Sequence, residues 1–232
     1  MQHPEKNIKG FNILELLVVV VIIGIISALA YPNFSDWSKE RKARTSTVKV
    51  KNLIQGINAQ VQRGLYAFVQ VHVQAQVDNL TITSKGMKMN TLTPKINDGA
   101  SDWNTDPISR CDTDIVGYWD DDGSVDDKLE VMQIELDEVT TNFDGIGAVC
   151  FSKNVRWYSG AGNFVSTAGG ETSVDSILFL CTRNTDFATC DIDDATGRPN
   201  RDHDNLFLVE WTRFGEVTME KWNIRTDDWV LQ

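Results

Sequence analysis

Three groups of residues in this chain have the types and spacing to do chemistry. The first is a lone carboxylate. Glu15 stands in an otherwise apolar run, FNILELLVVVVIIGIISALAY, residues 11–31, behind the short leader MQHPEKNIKG. An acid among apolar side chains is costly unless a cation meets it, so by default it marks a partner. The second is an acidic turn, Asp120-Asp121-Asp122-Gly123-Ser124-Val125-Asp126-Asp127. Hard cations want several carboxylates on a tight glycine turn, which makes Asp120, Asp122 and Asp126 candidate calcium ligands. An EF-hand is excluded, because Tyr118 and Leu129 stand where that loop needs oxygen ligands. The plainer reading is an acidic hairpin tip, since Asp and Gly suit turns anyway.

The third group is the cysteines, Cys111, Cys150, Cys181 and Cys190, none of them in a CxxC pair. With only 3 histidines in the chain, zinc is not expected. An even count beyond an exporting segment points to two disulfides. Cys181 and Cys190 would close a short loop, and Cys111 with Cys150 would follow by elimination. Other connectivities stay open, as do free thiols in a reducing compartment.

Two weaker groups complete the inventory. Asp191, Asp193, Asp194, Asp202 and Asp204 form a second acidic cluster around Thr196-Gly197-Arg198-Pro199-Asn200-Arg201. Two arginines among those acids make a poor phosphate clamp, so nucleic acid is not an expected partner. His203 between two aspartates reads as a solvated loop. There is no GxSxG, no HExxH and no phosphate-cradling glycine loop. No catalytic residue is assigned, an enzyme is not expected, and calcium is the one cofactor under consideration.

These groups need elements to hold them. The chain has 232 residues and is 41% hydrophobic, enough for one sizeable domain with an appendage. Its net charge of -11 argues against a nucleic-acid-coating protein. The charge is uneven. Lys39, Arg41, Lys42, Arg44, Lys49, Lys51 and Arg63 outweigh Asp36 and Glu40 over residues 36–63, whereas acids dominate residues 78–144. A basic stem therefore carries an acidic head.

Phe11 to Tyr31 would make a helix about 31 Å long, the thickness of a hydrocarbon core. Lys6 and Lys9 precede it, which places the bulk of the chain outside the cytoplasm. A secretory signal cut after Ala28-Leu29-Ala30 would fit the small-x-small rule but leaves Glu15 as a cost. A plain anchor explains the length and gives Glu15 no purpose. Pro32 should kink or locally melt the helix around residues 28–32. Beyond it, Val50, Ile54, Ile57, Val61, Leu65 and Phe68 recur at helical spacing, a stripe that packs on a sheet. The stem should end near Gly64.

The leader ending in Gly10, then Phe11, then Glu15, the unbroken apolar run with Gly24, and Tyr31-Pro32 together resemble the N-termini of type IV pilins and type II secretion pseudopilins. Asn12 departs from the small hydroxyl residue usual in that family. The resemblance implies cleavage between Gly10 and Phe11 by a prepilin peptidase, N-methylation of Phe11, and pairing of Glu15 with the Phe11 ammonium of a neighbouring subunit. It implies an inner-membrane protein with its head in the periplasm that later joins a pilus or pseudopilus. The divisions are then a leader (1–10), a transmembrane and filament-core helix (11–31), an amphipathic stem (32–64) and a β-rich head (65–232).

Within the head, LYAFVQVHVQAQV alternates with period two from Val69 to Val77, the best strand in the chain, with His72 on its opposite, wet face. Residues 79–110 read as a long loop or weak hairpin. Short strands should follow at 114–119, 129–136, 147–152, 155–159, 176–181, 206–212 and 216–222, with a glycine turn at Arg213-Phe214-Gly215. Trp211 and Trp222 should buttress the last hairpin. The expected fold is α+β, one long helix on antiparallel sheet without βαβ alternation. The order of VGYWDDDGSVDD, VRWYSGAGNF, ILFLC and LFLVEWTRFGEVTMEKW resembles the GspH/FimT-type minor pilins and pseudopilins, with inserts at 79–110 and 183–205. That resemblance implies a minor subunit that helps start assembly at a filament tip. A pilus-borne binding head, calcium-dependent or taking up DNA, is the alternative.

Overall fold

The computed structural model describes residues 12–97, 111, 119, 129–152, 157–159, 177–183, 189–193, 196–200, 205–212 and 216–232, without the side chains of 28–33, 35 and 157–159. Two compact units divide the chain, Met1–Lys39 and Glu40–Gln232.

Helix α1, Ile13–Gln62, begins in the first unit and ends in the second. It is assigned as helix through Pro32, so the local melting expected over residues 28–32 is not seen. A proline deletes only one rung of the ladder, and the flanking turns keep their geometry. Among the described residues no helix is long and apolar enough to cross a membrane. The run Phe11–Tyr31 extends past the described side chains at both ends.

The stem ends as its glycine predicts. Gly64 has φ 78°, a left-handed conformation that glycine adopts without steric cost. The Leu65 amide donates to the Gln60 carbonyl at 3.0 Å and the Gly64 amide to Val61 at 2.9 Å, which satisfies two orphan carbonyls of the last turn. The helical stripe therefore stops at Val61. Leu65 is exposed and Phe68 already belongs to a strand.

In the second unit the described strands form two five-stranded sheets and a small ribbon. The first sheet contains β1 (Phe68–Ala75), β2 (Leu80–Met87), β3 (Glu130–Leu136), β5 (Gly145–Ser152) and β6 (Trp157–Ser159), in the order β3-β2-β1-β5-β6. The second contains β4 (Val139–Thr140), β7 (Ile177–Thr182), β10 (Leu206–Trp211), β11 (Val217–Asn223) and β12 (Asp228–Leu231), in the order β12-β11-β10-β7-β4. The ribbon pairs β8 (Ile192–Asp193) with β9 (Arg198–Pro199). All described pairings are antiparallel, so the head is α+β as expected.

One apolar cluster joins α1 to both sheets. Val50, Ile54 and Val61 of the helix meet Val69, Val71 and Val73 of β1, and Val209 and Trp211 of β10. Each sheet also has a second buried face. On the first, Phe68, Met87 and Ala148 are covered by Leu92, Trp119 and Leu129. On the second, Phe179, Leu206, Leu208 and Trp222 are covered by Ile192 and the partly buried Trp229.

Two of the covering residues, Leu92 and Ile192, come from segments that sequence treats as loop or insert. Residues 80–97 are β2 and helix α2 (Met89–Asn97), not a loop. Leu80, Ile82, Thr83 and Ser84 are all buried, so β2 is covered on both faces and the polar residues of LTITSKGM hide it from a period-two reading. Gln70 on β1 is 1% exposed and His72 partly buried, where a wet face was expected. The Gln70 amide donates to the Cys111 carbonyl at 3.1 Å. Val77 lies beyond β1, in a turn closed by the Gln76 amide on the Asn79 carbonyl, and is 75% exposed. Residues 98–110, the expected strand at 114–118 and the turn at 213–215 lie outside the described residues.

Arg183, directly after β7, clasps the two sheets. Its guanidinium donates to the carbonyls of Gln76 and Val77 beside the first sheet, and to those of Asp137 and Val139 where the chain passes between sheets. Its own amide donates to the Glu138 carbonyl at 2.9 Å. Ion pairs Lys42–Glu138 (2.6 Å) and Lys221–Glu40 add contacts from α1.

Candidate functional site

The start of α1 is built around two polar side chains. Asn12 precedes the first helical residue, and its Oδ1 accepts from the Leu14 amide at 3.2 Å. Its carbonyl accepts from the Leu16 amide at 3.2 Å, the first rung of the helix. Asn12 is therefore the N-cap. Glu15 falls at the third helical position, where an acid faces the positive end of the helix macrodipole. The N-x-x-E spacing carried this signal, and the capping role of Asn12 was not drawn from it.

Helix geometry gives Glu15 a local reason to be an acid but no apolar shelter. Around it, Ile13 is 85% exposed, Leu14 68%, Leu16 59% and Leu17 61%. Exposure continues through every large apolar side chain to Ile26. The surface is a helix apolar on all sides with one carboxylate near its start. Such a helix is stable only when surrounded by other apolar material. Gly10 and Phe11, the expected cleavage pair, lie outside the described residues.

Stretches of curated proteins resemble this chain. A fimbrial protein of Pseudomonas aeruginosa is 38% identical over 48 residues, 21% of this chain and 31% of that protein. The type IV major pilin protein PilA of Myxococcus xanthus is 46% identical over 41 residues, 16% of this chain and 19% of the relative. The type IV major fimbrial protein FimA of Dichelobacter nodosus is 35% identical over 57 residues, 25% and 33%. This chain is type IV pilin-like. It spans a third or less of the length of these relatives. No family model matches it, and no solved structure does.

The remaining candidates of the pilin-like chain sit in the head. Of the three cysteine connectivities, the structure has Cys111–Cys150 and Cys181–Cys190, with Cα atoms 5.7 and 5.8 Å apart. Each bond pins a cover to the outer face of one sheet. Cys150 lies on β5 and holds Cys111 beside Trp119, whereas Cys181 lies on β7 and holds Cys190 just before the β8–β9 ribbon. Asp120, Asp122 and Asp126 lie outside the described residues, as do Asp194, Arg201, Asp202, His203 and Asp204.

Asp191 and Asp193 accept hydrogen bonds within a turn. The Asn200 amide group donates to the Asp191 carboxylate at 2.9 Å, and the Thr196 hydroxyl donates to Asp193 at 2.9 Å. Gly197 (φ 65°) sits between them, and its amide donates to the Asp193 carbonyl at 2.7 Å. Arg198 pairs with Asp227 at 3.1 Å. Trp211 and Trp222 are buried on opposite faces of the second sheet, and Trp229 closes on Trp222 with ring centroids 5.2 Å apart.

Proposed function

We propose that this chain is a structural subunit of a type IV pilus or type II secretion pseudopilus that assembles by packing α1 against its counterparts on neighbours. The observation that carries the reading is Glu15 at the third position of α1, in a stretch whose large apolar side chains are exposed from Ile13 to Ile26. Burying one Leu, Ile or Val side chain is worth about 1.5–3 kcal/mol, so this helix gains a great deal from apolar surroundings. The bilayer supplies them before assembly and neighbouring helices afterwards. Val18 to Ile23 are six β-branched residues in succession. They are middling helix formers in water but serve well where backbone groups find no partner outside the helix.

In this reading Phe11–Tyr31 spans the inner membrane with the head in the periplasm. A prepilin peptidase cuts between Gly10 and Phe11, and the new, methylated amine remains a cation. Glu15 then needs that cation from a neighbour, because an unpaired acid in an apolar bundle costs several kcal/mol. One stagger of packed helices provides it, so the acid sets the register. The order of elements in the head supports a minor subunit near the tip that helps begin assembly.

The test is Glu15→Ala beside Glu15→Gln. Both variants should insert and melt like the parent while incorporation into filaments falls at least tenfold. Parental incorporation would overturn the reading. Intact mass of the mature protein should show a start at Phe11 with one added methyl; a start at Tyr31 would mean an exported soluble protein.

A further inference from the structure

We propose that Phe34, Trp37 and Lys39, the collar of α1 just past the apolar run, dock among anionic phospholipid headgroups and hold the unassembled subunit at a fixed depth. The inference rests on the reading above, in which Phe11–Tyr31 lies in the bilayer. Phe34 is 64% exposed and Trp37 54%, and their rings form a tilted pair with centroids 5.7 Å apart. Lys39 is exposed as well. The two rings together present a sizeable apolar surface at this turn of the helix.

Their position fits the lipid interface. Phe34 and Trp37 come three and six residues after Tyr31, roughly 4.5 and 9 Å further along the helix axis. The headgroup layer is roughly 5–8 Å thick on each side of the hydrocarbon. Side chains on an α-helix lean toward its N-terminus, which here brings both rings back toward the membrane. The amphipathic indole of Trp37 favours that layer, the Phe34 ring adds apolar surface on its hydrocarbon side, and lysine stems snorkel through it with the ammonium at the phosphates. With Lys42 paired to Glu138 and Glu40 to Lys221, the sequence there still carries Lys39, Arg41 and Arg44 against Asp36, a net positive stretch that suits anionic lipid. A helix leaving a bilayer meets headgroups on every side, so rings and cations need not share a face. A neighbouring copy could also cover the rings, but only after the subunit leaves the lipid, whereas the collar borders lipid from insertion onward.

The experiment uses the full chain in phosphatidylcholine vesicles, with and without an equal part of phosphatidylglycerol. Brominated lipids carry the quencher either shallow or deep on the acyl chains. The difference between the parent and Trp37→Phe isolates Trp37 from the other tryptophans. Shallow bromine should quench that component at least twofold more than deep bromine, and phosphatidylglycerol should shift its emission to the blue. Combined Lys39→Glu, Arg41→Glu and Arg44→Glu should abolish the phosphatidylglycerol effect. Three outcomes overturn the proposal: no quenching at either depth, strongest quenching by deep bromine, or a blue shift that follows protein density rather than lipid charge, which marks a contact between copies. Release of the chain by alkaline carbonate overturns the bilayer reading along with it; retention with Trp37 unquenched overturns the collar alone.

Discussion

At the scale of single residues, His72 shows how a neighbour's cover changes chemistry. Its pKa is lowered from 6.5, first by burial and then by the charge of Lys85. The folded head therefore prefers neutral imidazole. That preference contributes stability above the unfolded value of 6.5, and the contribution is lost as pH falls through the folded value. His72→Gln should flatten the melting temperature between pH 7 and 5, as scanning calorimetry would show. Gly86 is a second residue with a strict requirement. A Cβ there would stand 2.7 Å from Cε1 of Tyr66, whose ring lies across the glycine. Gly86→Ala should cost about 1–3 kcal/mol in urea titration. Pairing it with Tyr66→Ala should recover part of the loss, because the clash then has no second party.

At the scale of elements, the two disulfides hold different lengths of chain. The Cys111–Cys150 loop spans 39 residues and the Cys181–Cys190 loop 9. Loop entropy alone assigns them about 4 and about 2.5 kcal/mol. Cys111→Ser with Cys150→Ser should therefore lower stability more than the corresponding change at Cys181 and Cys190, measured by denaturant midpoint. Legibility from sequence divides in a similar way. Strands β3, β5, β7, β10 and β11 could be read because their apolar alternation or continuous runs end at turn residues. The β2–α2 segment could not, because Thr81, Thr83 and Ser84 read as loop until β1 and β3 flank them on both sides. The β4 and β8–β9 pairs are two residues each, too short for any period to show. Strand β12 depends on the edge of β11 rather than on its own pattern. Glu15 was legible as an acid in an apolar run, whereas its position relative to the cap Asn12 needed the helix start to be located.

At the scale of the whole molecule, the N-terminal unit exposes its described apolar side chains, whereas the head buries most of its own. The head's core needs only the part of α1 from Ala43 onward. A fragment from Glu40 to Gln232 should accordingly fold alone, with both disulfides formed and the melting temperature of the full chain; a molten fragment without near-ultraviolet dichroism would refute that. Within the head, the clasp at Arg183 sets the order in which joints fail. The ion pairs Lys42–Glu138, Lys88–Glu130 and Lys221–Glu40 lie at the surface, where dissolved salt screens them. Arg183 instead holds backbone carbonyls through several directed hydrogen bonds at once, which depend less on ionic strength than a charge pair does. Concentrated salt thus weakens the side-chain ties at the rim of the head, while the seam between the sheets keeps a clasp of directed hydrogen bonds to backbone carbonyls.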